Sequence, residues 1–64
     1  MEPIMTITHF AFNNRTIIKY RAGDDIIREA YMGVSIKTAE RKFREAHGLK
    51  GKKIRKTVFD HADK

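Results

Sequence analysis

The sequence predicts an α+β fold: an N-terminal β-hairpin followed by two helices in a helix-turn-helix-like arrangement, with a C-terminal segment that suits a further strand. Three observations carry this expectation. Two segments rich in β-branched and aromatic residues flank "NNR"; apolar residues from Ile26 to Val34 recur at helical spacing; and the turn "GVS" separates them from a second, strongly basic amphipathic stretch.

Residues 4–22 make the hairpin. "IMTITHFAF" and "TIIKYRA" favour strands, and the asparagines between them tolerate positive φ. Met5, Ile7 and Ala11 at odd positions and Ile4, Phe10 and Phe12 at even positions are all apolar, so alternation marks no single buried face, as if both faces were covered.

"AGDD" then punctuates the chain, and Asp24 suits a helix N-cap. Ile26, Ile27, Ala30, Tyr31 and Val34 follow at i, i+1, i+4, i+5 and i+8, which predicts a short helix over 25–32. A strand competes for the same residues, because Ile, Tyr and Val favour sheets and "AGDD" can close a second hairpin; the alternative fold is then a three-stranded sheet plus one helix.

Gly33 suits a helix C′ position and Ser35 the next N-cap, giving a basic amphipathic helix over 35–47. Ile36, Ala39, Phe43 and Ala46 share one stripe, and Gly48 ends it. The opposite face carries Lys37, Thr38, Arg41, Arg44 and Glu45, with Lys42 at its edge and Glu40 placed to pair with Arg44. Lys37 and Arg41 repel at i,i+4, costing an isolated helix ~0.2–0.5 kcal/mol that a bound anion would remove. Residues 50–64 are a basic loop and tail: Lys50, Lys52, Lys53, Arg55 and Lys56 cluster around Gly51, "TVFD" fits a returning strand or a third helix, and "HADK" reads as a frayed end.

Sixty-four residues form a single domain that buries only about 60% of its unfolded surface, and without cysteine it has neither disulfides nor thiolate metal sites. A partner is therefore a natural source of stability, and a homodimer is expected. No signal-peptide pattern and no apolar run of about 20 residues occurs, which points to a cytoplasmic protein that does not engage a membrane.

The formal charge is +6, and its placement matters more than its size. Four basic and four acidic residues cancel over residues 1–32, so the whole excess falls in residues 33–64. Such segregation is the footprint of a surface for nucleic acid or an acidic partner. Catalysis finds little support. Ser35 is better used as a cap than as a nucleophile, Asp24 and Asp25 are adjacent, and His9, His47 and His61 share no ligand spacing, with Asp60, His61 and Asp63 as only a weak cation cluster. "GLKGKK" lacks the spacing of a P-loop. The expected protein is non-enzymatic and needs no cofactor or metal.

The run "SIKTAERKFREAHGL", through Ser35, Lys37, Thr38, Arg41, Phe43, Arg44, Gly48 and Leu49, resembles the recognition-helix region of AraC-type transcription regulators over about a third of the chain. The resemblance implies DNA contact through Lys37, Thr38, Arg41 and Arg44, with Phe43 in the core. Ala39 departs from the larger apolar residue usual there, and the tandem second motif of that family has no counterpart.

These readings predict a small DNA-binding protein, a transcription regulator or an architectural accessory factor. Helix 35–47 would enter duplex DNA, and Lys50, Lys52, Lys53, Arg55 and Lys56 would anchor phosphates. Two alternatives stand beside it: a phage- or plasmid-type inhibitor or adaptor whose basic face binds an acidic protein surface, and an RNA-binding regulator. If 26–34 is a strand, Arg15, Lys19, Arg21 and Arg28 share the work, and a solvent-facing Phe10 or Tyr20 brings in RNA or single-strand binding.

Overall fold

The computed structural model describes residues 2–61, which form a four-stranded mixed sheet with one α-helix packed on one of its faces. In chain order the elements are β1 (Ile4–Phe10), a 3-10 turn (Ala11–Asn13), β2 (Arg15–Ala22), β3 (Asp25–Met32), α1 (Ile36–Ala46) and β4 (Arg55–His61). The sheet order is β3-β2-β1-β4. β1 and β2 pair antiparallel, as do β2 and β3, while β4 runs parallel to β1. A parallel pair requires a crossover, and α1 with its flanking loops carries the chain from the β3 edge to the β4 edge.

The two-helix arrangement is therefore corrected: residues 25–32 are a strand, and no α-helix precedes α1 among the described residues. The alternative of a sheet with one helix fits, enlarged by β4, which takes up "TVFD". Strand β3 is apolar on both faces, with Ile27 and Tyr31 toward the helix and Ile26, Ala30 and Met32 away from it. Neighbouring apolar residues on opposite faces of a strand produce the i, i+1, i+4, i+5 spacing that a helix uses for a broad stripe.

Turn chemistry supports the strand order. Asn14 adopts the left-handed region at φ 51° between β1 and β2, a conformation asparagine tolerates. Gly23, at φ 62°, opens the two-residue connection between β2 and β3, where a glycine-first hairpin turn needs positive φ.

Helix α1 is capped at both ends. The Ser35 hydroxyl oxygen accepts a hydrogen bond from the Thr38 N–H at 3.2 Å. At the other end the Leu49 N–H donates to the Arg44 carbonyl at 2.8 Å across Gly48, the long bond of a Schellman motif, and Leu49 is buried. Leu49 thus both closes the helix and joins the core.

The core is a single layer between α1 and the sheet. Met5 and Ile7 of β1 and Ile18 and Tyr20 of β2 meet Ala39, Phe43 and Leu49, with Ile27, Tyr31, Val34, Ile36 and Ile54 at the margin. Ala39 is fully buried, and its small side chain leaves the helix backbone close to the sheet. Thr16 is the one buried polar residue among those described; its hydroxyl shares a 2.7 Å hydrogen bond with His9 Nδ1, which satisfies it. Among the described residues no helix is long and apolar enough to cross a membrane. Of the frayed end expected for "HADK", His61 is instead the last residue of β4, and 62–64, Asp63 with them, lie outside the described residues.

Candidate nucleic-acid interface

Residues paired across neighbouring strands point to the same side of a sheet, so the register sorts every strand side chain by face. On the side away from α1, Thr6 stands beside Lys19 and Arg28, Ile4 beside Arg21 and Ile26, and Phe10 beside Arg15 and Met32. Strand β4 extends the same face with Arg55, Thr57, Phe59 and His61. The Phe10 and His61 rings stack at 5.2 Å with an interplanar angle of 9°, which agrees with that assignment.

This bare face has a distinct composition. Arg15, Lys19, Arg21, Arg28 and Arg55 are all exposed on it, and no acidic residue of any strand belongs to it. The strand acids Asp25, Glu29 and Asp60 all fall on the helix side. Within the strands of residues 1–32, a segment neutral in sum, the pleat thus puts Arg15, Lys19, Arg21 and Arg28 on one side and Asp25 and Glu29 on the other.

The face is also zoned. Aromatic rings gather at the β1 and β4 end, where Phe10 stacks on His61, Phe12 meets Phe10 edge-on at 6.2 Å and Phe59 is 49% exposed. Cations line β2 and β3. Between them Thr6, Thr8, Ile17 and Ile26 floor a shallow groove of ≈ 500 Å³ with Lys19 and Arg28 on its wall. Such a surface offers flat rings to bases, guanidinium and ammonium groups to phosphates, and threonine hydroxyls to either.

The residues expected from sequence fall in five different places. Lys37, Arg41, Lys42 and Lys50 project into solvent on the helix side, where Lys37, Arg41 and Lys50 line a depression that also holds Glu40 and Glu45. Thr38 is half-buried and its hydroxyl oxygen accepts from the Ser35 hydroxyl at 3.0 Å, so it belongs to the cap. Arg44 and Lys56 are used inside the fold. Arg44 donates from Nε to Glu40 at 3.0 Å and from a terminal nitrogen to the carbonyls of Leu49 and Lys52 at 3.1 and 3.0 Å. Lys56 donates to the other Glu40 oxygen at 2.8 Å. Lys52 and Lys53 are exposed at the turn after Leu49, and Arg55 alone of the group reaches the bare face. The structure therefore does not gather these ten residues on one surface. It brings together Arg15, Lys19, Arg21, Arg28, Arg55, Phe10 and Phe59 instead.

Arg44 also fixes the basic loop, because its two carbonyl bonds and the Lys52 N–H bond to the Leu49 carbonyl at 3.1 Å hold "LKGK" in a turn, with Gly51 at φ 80°. Burial pushes the Glu40 carboxyl upward, but hydrogen bonds from Lys56 and Arg44 outweigh it and hold the group below its ordinary value of 4.5. A depressed folded pKa adds stability that is present above the unfolded value and disappears as pH falls from about 4.5 through the folded one. Glu40→Gln is expected to lower the neutral-pH melting temperature by about 4–8 °C, for a loss of about 1 kcal/mol discounted for the exposure of Lys56. The gap between variant and parent closes in that acid window, which thermal melts at pH 7 and pH 3 measure.

At the same C-terminal end of α1, His47 Nε2 lies 3.3 Å from a Glu29 oxygen but off hydrogen-bond alignment, and the His47 ring tilts against Phe43 at 4.6 Å. This contact carries charge only when His47 is protonated and packs the helix end otherwise. Among the described residues no three His, Asp or Glu side chains converge on a metal-sized space.

Comparison with protein-family models, curated proteins and solved structures finds no match for this chain.

Proposed function

We propose that this protein binds single-stranded nucleic acid on the helix-free face of its sheet, with Lys19, Arg21 and Arg28 on phosphates and Phe10 and Phe59 under bases. The observation that carries the reading is a sheet face on which the described strands place five cations, aromatic rings and no carboxylate. Each element has a matching chemistry. Base stacking on an aromatic side chain contributes about 1–3 kcal/mol and tolerates any base.

Width argues for a single strand over a duplex. Four strands at about 4.8 Å spacing place the edge strands ~14 Å apart before side chains are counted, whereas the major groove is about 12 Å wide and admits a helix or a two-stranded ribbon. A broad face instead suits an unstacked strand laid across it.

A second reading, duplex contact through α1, has its own observation in the exposed Lys37, Arg41, Lys42 and Lys50. Among the described residues no α-helix precedes α1 to cross the duplex backbone, and Glu40 and Glu45 lie among those cations. The described strands place no such opposing charge on the sheet face.

Fluorescence anisotropy with a labelled single-stranded oligonucleotide, in DNA and RNA forms, and with a random duplex separates the readings. The sheet-face account predicts at least tenfold tighter single-strand binding and a log-log salt slope of about −3.5 for five phosphates at −0.7 each. Preference for the duplex favours α1. Absence of binding to all three at low salt overturns the nucleic-acid reading and leaves an acidic protein surface as the partner for these cations.

A further inference from the structure

Strands β3 and β4 are the two edges of the sheet, and they differ as templates for pairing. The Arg55 N–H donates to the Pro3 carbonyl at 3.2 Å, so the peptide groups of Arg55, Thr57, Phe59 and His61 face β1. Those of Lys56, Val58 and Asp60 face outward, because backbone polar groups alternate sides along a strand. All seven β4 residues are exposed, and the strand has no proline, glycine or bulge to blunt it.

We propose that two copies of this chain pair antiparallel along their β4 edges, with Val58 opposite Val58 of the second copy and Lys56 opposite its Asp60. In that register all three outward-facing residues fall in hydrogen-bonded pairs, so no outward peptide group between Lys56 and Asp60 is left without a partner. Lys56 and Asp60 lie on the helix side of the sheet and meet their opposites twice across the two-fold axis; the Lys56 ammonium, with three donors, serves the opposite Asp60 as well as Glu40, which it already holds at 2.8 Å. Between these ion pairs the Val58 side chains, 44% exposed in the single copy, cover one another. Helix α1 packs over β1 and β2, so the axis brings no helix into the seam.

Strand β3 lacks this self-complementarity. The Gly33 N–H donates to the Asn14 carbonyl at 2.9 Å, which turns Ile26, Arg28, Ala30 and Met32 outward. The two self-pairing registers of greatest overlap centre on Glu29 against Glu29 or on Arg28 against Arg28, and like charges directly opposite are destabilising. Of the two edges, β4 is the one whose charge pattern fits its own copy.

Pairing at β4 joins the two sheets into one of eight strands. The bare faces become continuous, and Phe59 and His61 move from the rim of one face to the centre of a doubled one. The pairing stands apart from the nucleic-acid reading and is measured with no nucleic acid present.

Sedimentation velocity of the full chain across a concentration series provides the test. One strand pair falls below the ~1,200 Å² of a standard interface, so a dimer forming in the micromolar range is expected. Asp60→Lys, which sets lysine opposite Lys56, and Val58→Pro, which removes an outward N–H that β1 does not use, should each weaken it at least tenfold with far-UV circular dichroism unchanged. Asp60 makes no ion pair or side-chain hydrogen bond among the described residues, so its replacement leaves the monomer intact. Isotope-filtered NMR of the mixed-label dimer should give a contact between the α protons of Thr57 and Phe59 of the second copy. A parent chain that stays monomeric to about 500 µM, well above the micromolar range expected of a small interface, overturns the proposal. So does a dimer that survives both substitutions, or intermolecular contacts confined to β3.

Discussion

Phe43→Ala is expected to leave the chain largely unfolded at 25 °C. Phe43 is fully buried, and its ring meets Tyr20 at 6.2 Å on the sheet and His47 at 4.6 Å at the helix end. Truncating a buried phenylalanine costs about 3–5 kcal/mol, as lost transfer energy plus the cavity left behind. A domain of this length has about 3–10 kcal/mol in total, at roughly 0.05–0.15 kcal/mol per residue. The single-layer core has no second helix to close over the space, so little relaxation offsets the loss. Urea titration followed by far-UV circular dichroism should show the parent folded in water and the variant already in its transition. A variant that melts within a few degrees of the parent would remove Phe43 from the centre of the core.

Joint replacement of Lys19, Arg21 and Arg28 by glutamine is expected to weaken single-strand binding about 100-fold, at roughly 1 kcal/mol per charge-assisted phosphate contact. The salt slope should fall from about −3.5 to about −1.4, because two of five phosphate contacts remain. All three side chains are exposed and none makes an ion pair or side-chain hydrogen bond among the described residues, so the melting temperature should move little. Matched neutralisation of Lys37, Arg41 and Lys42 on α1 is the control, with an effect below tenfold. Anisotropy at fixed salt compares the two triple variants directly. Equal losses from both would mean that net charge, and not the sheet face, governs binding.

How much of this was legible in the sequence depends on how local the determining interactions are. Helix α1 announces itself through Ser35 as a cap, the stripe Ile36, Ala39, Phe43, and Gly48 at φ 65°, all within one turn of the residues they govern. Strand β3 does not, because its apolar residues cover two faces and copy a helical stripe. The Glu40–Arg44 pair follows from i,i+4 spacing, but the second partner of Glu40 is Lys56, sixteen residues away and reachable only once β4 lies beside β1.

The bare face was hidden by summation. Arg15, Lys19, Arg21 and Arg28 cancel against four acids in the first 32 residues, so segment charge reads as zero, and attention passes to the visibly basic second half. A period of two was present in "RTIIKYR". Thr16, Ile18 and Tyr20 are buried while Arg15, Lys19 and Arg21 are exposed, and that alternation in a strand separates charges that a sum over residues merges. Tyr20, one of the two aromatic rings that would point to single-strand binding, lies under the helix; Phe10, the other, faces away from it.

The most direct test of the sheet-face account is an amide chemical-shift titration of the isotope-labelled protein with a short single-stranded oligonucleotide. The account predicts shifts concentrated on Thr6, Thr8, Lys19, Arg21, Arg28 and Phe59, with residues 37–42 of α1 nearly still. Shifts centred on Lys37, Arg41 and Lys50, with the sheet face unmoved, would contradict it.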